Sequence, residues 1–152
     1  MLIKLKYIVL LLMLASAQSL LCDDDDDKAR VPPYTITVTG DINLGVYVQG
    51  WSSPIFPPDN SIMFTIKLNR KKPINIILDN SGSKTGKTED VKITTEWMVN
   101  NGNQISQLTG SRHYKLTNVI YVTVTITNIQ VARYAQSGPR RFEQVLEVDM
   151  CF

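Results

Sequence analysis

From Tyr34 onward, apolar residues recur at every second position. Ile36 and Val38 in "YTITVT", Ile62, Phe64, Ile66 and Leu68 in "SIMFTIKL", and Ile120, Val122, Val124 and Ile126 in "VIYVTVTITNIQV" each line one side of an extended chain, with Thr, Lys or Met between them. Shorter runs of the same kind are "INLGVYV" from Ile42, "INIIL" from Ile74, "VKITTEWMV" from Val91 and "FEQVLEVDM" from Phe142. β-Branched residues dominate, and no stretch after the first thirty residues carries a helical stripe. The pattern predicts an all-β domain over residues 34–152, an antiparallel two-sheet β-sandwich of about seven strands, with a closed barrel as the alternative.

The breaks between the runs agree. Gly40-Asp41, Pro57-Pro58-Asp59-Asn60, Asn80-Ser81-Gly82, Asn101-Gly102 and Ser137-Gly138-Pro139 are turn sequences. Asn101-Gly102 suits the centre of a two-residue hairpin, where both positions need positive φ. The two long irregular segments are "QGWSSPIFPPDN" (49–60) and "DNSGSKTGKTED" (79–90).

The start of the chain has a different pattern. Lys4 and Lys6 precede an apolar run from Tyr7 to Leu14, which ends at Ala15-Ser16-Ala17. A basic start, a short apolar run and a small-x-small triplet describe a cleaved secretory leader, residues 1–17. A membrane-spanning helix needs about 20 apolar residues, and this run is too short. Export to the periplasm, cell surface or medium follows. The leader also changes the charge balance. The chain has 16 basic and 14 acidic residues, and the leader removes two lysines and no acid. The remainder is balanced, which gives no electrostatic reason to expect a nucleic-acid partner.

Residues 18–33 form an acidic tether dominated by Asp23–Asp27. Five adjacent carboxylates on an extended chain point alternately apart, so they make a solvated spacer rather than a calcium cage. The "DDDDK" before Ala29 matches an enteropeptidase cleavage sequence by coincidence. Cys22 and Cys151 are candidates for a disulfide that would close most of the exported chain, worth about 5 kcal/mol in the chain-entropy model. The alternative use of Cys22 is lipidation, the one route to a membrane, although Leu21 stands where a small residue is usual.

No chemistry-bearing constellation emerges. "SGSKTGKT" imitates a phosphate loop, but three residues rather than four separate Gly82 from Gly86, and a strand pattern follows where a helix is required. His113 is the single histidine and lies in a turn-like "GSRHYK". Glu89, Asp90, Glu96, Glu143 and Glu147 could supply a carboxylate pair, but an outward charged face accounts for them. The sequence therefore predicts no enzyme, no metal and no cofactor. Trp51 and Phe56, with Tyr47 nearby, form either an aromatic binding loop or a cap over the end of the sandwich.

"TITVTGDINLGVYVQG" (35–50), "FTIKLNRKKPINIIL" (64–78) and "SGPRRFEQVLEVDM" (137–150) together resemble the small secreted bacterial β-sandwich domains related to spore-coat-protein-U and Csu-type pilin subunits. In the early motif, Ile42-Asn43-Leu44-Gly45, Leu44 stands where the family commonly has Phe. The resemblance implies an Ig-like fold and an exported, non-enzymatic structural or adhesive role, with other copies of the chain or cell-surface proteins as partners. Pilins of this kind borrow a last strand from a neighbour. Here Phe142–Met150 can supply that strand, so a self-complete sandwich is expected. A monomeric binding module for glycan or protein is the alternative function.

Overall fold

The computed structural model describes residues 3–9, 31–55, 60–83 and 90–151. Among them are twelve strands and no helix: β1 (Ile3–Val9), β2 (Tyr34–Val38), β3 (Asn43–Tyr47), β4 (Ser52–Pro54), β5 (Ser61–Leu68), β6 (Ile74–Asp79), β7 (Val91–Asn101), β8 (Gln104–Gln107), β9 (Ser111–Leu116), β10 (Val119–Val131), β11 (Arg140–Gln144) and β12 (Glu147–Cys151). The all-β expectation holds.

The largest sheet runs β2-β5-β10-β7-β8, and β4 lies beside β10 as well. Its inner face is the period-two pattern made physical. Ile66, Phe64 and Ile62 stand opposite Ile120, Val122 and Val124 across the β5–β10 ladder, and all six are buried. On β7, Trp97 stacks on Phe64 with centroids 6.0 Å apart and planes 14° from parallel. A second sheet, β12-β6-β9, adds Ile76, Leu78 and Leu116 to the same core. Tyr34 joins the two sheets, since its hydroxyl donates to the Val148 carbonyl at 2.8 Å.

The third sheet, β11-β1-β3, departs from expectation. Its β1–β11 pair is parallel, with Leu5 opposite Arg140 and Val9 opposite Gln144, whereas β1 runs antiparallel to β3. The predicted last strand is in fact two. Val145 and Leu146 interrupt it, both buried, and Ser83 holds the break: its hydroxyl donates to the Val145 carbonyl and accepts the Val145 N–H, both at 2.9 Å. Beyond the break, the chain joins a different sheet.

Three local expectations need correction. "GSRHYK" is not a turn, because Ser111–Leu116 pairs with β6 and His113 stands opposite Ile77. The segment 49–60 contains a strand, β4, recruited by the free edge of β10 rather than by its own propensity. The hairpin between β7 and β8 is one residue out of the predicted frame. Asn101 pairs with Gln104, so its two-residue loop is Gly102-Asn103, with Gly102 at φ +65°.

The edge of β10 facing β4 and β5 shows how a long strand is satisfied piecewise. β5 pairs with it up to Thr125, and β4 takes over at Asn128. Between them, the Asn60 carbonyl accepts the Ile126 N–H at 2.9 Å, and the Ile55 N–H donates to Thr127 at 3.0 Å. The buried Asn60 amide also donates to the Ile126 carbonyl. On the other edge, toward β7, the register slips between Ile126 and Asn128. This bulge reverses the side-chain alternation of β10. Before it, even-numbered residues point inward; after it, Ile129 and Val131 do, and Gln130 faces out.

Candidate functional site

The bulge sets up a place where exposed polar and aromatic groups gather beside a groove. Because Gln130 turns outward, it lies in register with Ser52 of β4 on one side and Lys92 of β7 on the other. All three are exposed, and they form a row across three strands. At the usual strand spacing the row is about 10 Å long. It opens into a groove of about 510 Å³ that is also lined by Trp51, Asp90 and Arg133.

The end of the row is held by backbone. Val131 N–H donates to the Trp51 carbonyl at 2.7 Å, Trp51 N–H to Val48 at 3.2 Å, and Gly50 N–H to Ala132 at 3.4 Å. The Gln49 amide reaches the Ala135 carbonyl at 2.7 Å. Gly50 needs to be glycine twice over: its φ is +76°, and a Cβ would sit 3.3 Å from the Arg133 Cγ, so the stem of Arg133 lies directly over it. On the far wall, the Asp90 carbonyl accepts the Ala132 N–H at 2.8 Å and its carboxylate accepts the Gln136 N–H at 3.3 Å.

Of the aromatic trio read from the sequence, the structure brings two together. Tyr47 meets Trp51 edge-on at 6.1 Å and 61°, and Phe56 lies outside the described residues. Trp51 is 43% exposed. Burial raises the Tyr47 pKa above its ordinary value. Ser52, Lys92, Gln130 and Arg133 were not legible as site residues, because each is an unremarkable polar residue in sequence. The single hint is the odd spacing between Ile126 and Ile129, where the alternation breaks.

The other candidates are dispersed or lie elsewhere. Cys151 is a half-buried free thiol at the end of β12, no disulfide forms among the described residues, and Cys22 lies outside them. The cleavage point expected after Ala17, Asp23–Asp27 and Gly86-Lys87-Thr88 also lie outside. His113 is exposed on β9; Glu96, Glu143 and Glu147 sit on β7, β11 and β12, and Glu89 is not among the described residues. Among the described residues, no three metal-ligating side chains come together, and no helix is long and apolar enough to cross a membrane. Comparison with models of known protein families finds no match, and comparison with curated proteins finds none either.

Proposed function

We propose that this chain is an exported, non-enzymatic structural subunit of Ig-like, pilin-like sandwich form that associates with its neighbours through sheet edges. The observation that carries this is the position of β1. Ile3–Val9 is the central strand of the β11-β1-β3 sheet, and the same stretch opens the segment that reads as an export leader. If the leader is removed, β3 loses its partner from Asn43 to Tyr47, and β11 loses its partner from Arg140 to Gln144.

Two facing edges separated by one strand's width make a slot for an added strand. Open backbone donors and acceptors there favour pairing with another chain. The family resemblance supports the same reading, since subunits of that kind assemble by lending strands. The acidic tether is a poor lender because adjacent carboxylates resist burial, which leaves a strand from another protein or another part of a second copy as the occupant.

The test uses the chain beginning at Gln18, with amide hydrogen exchange read at β3 and β11 and mass read by sedimentation. Fast exchange at both edges in the monomer, slowed by adding the peptide of residues 3–9 or by self-association, is the expected result. Full protection of both edges in a monomer without peptide would overturn the proposal.

A further inference from the structure

Beyond assembly, and independent of it, the Ser52–Gln130–Lys92 row with Trp51 and Arg133 has the makings of a ligand site. Trp51 is exposed yet fixed by three backbone hydrogen bonds around it and by the Tyr47 ring. The other tryptophan, Trp97, is buried against Phe64 and shows how this chain treats an indole used for packing. Ser52, Gln130 and Lys92 point the same way from adjacent strands, and their side chains have no hydrogen-bond or ionic partner among the described residues.

The chemistry of the lining selects the ligand class. A rigid, half-exposed indole offers an apolar face with a polar edge, which suits a ring that is apolar on its faces and hydroxylated at its rim. The hydroxyl, amide and ammonium of the row supply donors and acceptors at intervals of one strand spacing, and the roughly 10 Å span suits two linked rings. The charge is lopsided. Among the described residues that line the groove, two cations without an ionic partner, Lys92 and Arg133, stand against a single carboxylate, Asp90, which accepts the Gln136 N–H.

We infer that this groove binds a carboxylated oligosaccharide, with Trp51 stacking under one sugar ring, Ser52 and Gln130 bonding its hydroxyls, and Lys92 and Arg133 pairing with its carboxylates. The Arg133 side chain passes over Gly50, and Arg133 is among the residues that line the groove. A neutral sugar would leave both cations unused, and a flat protein surface would not use the row's spacing.

Calorimetric titration of the whole exported chain with trigalacturonate tests this, with its methyl-esterified form as the neutral control. Saturable binding, at least tenfold weaker for the ester, for Trp51→Ala and for the Lys92→Ala/Arg133→Ala pair, is expected, with affinity falling as salt rises. All three positions are exposed, and an unchanged near-ultraviolet signal from buried Trp97 verifies that each variant is folded. Absence of saturable binding, equal affinity for the ester, or wild-type affinity in Trp51→Ala would each overturn the assignment.

Discussion

Replacing Asn60 by aspartate changes one atom's bonding and should cost more than removing the side chain to Cβ. Asn60 is 1% exposed, and its amide donates to the carbonyl of Ile126, itself buried at the point where β5 has ended and β4 has not begun. The backbone bond from Ile126 N–H to the Asn60 carbonyl survives any substitution. What changes is the Ile126 carbonyl. Asn60→Ala leaves it unsatisfied in the interior, at about 1 to 3 kcal/mol. Asn60→Asp does the same, places an acceptor against an acceptor and buries a charge, so the cost at pH 7 rises to about 3 kcal/mol or more.

The acid limit separates the two variants. Burial and the facing carbonyl raise the folded-state pKa of the introduced carboxyl above its unfolded value of about 3.9. Such a group is least damaging below its unfolded pKa and loses stability as pH rises through its folded pKa. When protonated, it can donate to Ile126 as the amide did. Urea unfolding from pH 3.5 to 7, each variant against wild type at the same pH, should show Asn60→Asp approaching wild type at the acid end and falling below Asn60→Ala at neutrality. A wild-type midpoint for Asn60→Asp at pH 7 would refute the argument that this amide carries the ladder across the gap.

Other outcomes follow from the same geometry. Phe64→Ala should lose about 3 to 5 kcal/mol, because a fully buried ring stacked on Trp97 leaves a cavity; thermal denaturation should register it as a fall of about 3 to 5 °C per kcal/mol. The Tyr34 hydroxyl has its pKa raised, chiefly by burial and then by the charge of Asp149. Its stabilising contribution is therefore complete below about pH 10 and is lost as pH climbs through the raised value. Tyr34→Phe should lose about 0.5 to 1.5 kcal/mol at neutral pH with the bond to Val148, and in alkaline titrations it should decline less steeply than wild type. Gly102→Val places a β-branched residue at φ +65° in a two-residue loop; urea unfolding should show a loss of about 1 to 3 kcal/mol, and an unchanged midpoint would contradict the assigned frame.

Much of the fold could be read from alternation alone, because a strand with one buried face must place its apolar residues two apart. Ile62, Phe64, Ile66, Leu68, Ile120, Val122, Val124 and Ile126 were all assignable to the core on that ground, and all are buried. The failures have specific causes. β4 has no alternation of its own, being three residues long and containing a proline, and it exists because the far end of β10 offers an unpaired edge. β9 mixes Ser, Arg, His and Lys because only Tyr114 and Leu116 turn toward the interior. The split between β11 and β12 carries no turn residue, because Val145 and Leu146 are apolar and buried where the chain changes sheets. The row at Ser52, Gln130 and Lys92 depends on a register slip, and cross-strand register is a property of pairs that no single segment encodes.

Glu147–Cys151 is the partner of Ile74–Asp79, and β10 must likewise reach back to Ser61–Leu68 before the main sheet exists. Pairings this distant along the chain reward folding only after large loops have been closed, and they make a slow folder. Without Glu147–Cys151 in place, the second sheet lacks one of its three strands, and the far edge of Ile74–Asp79 stays open.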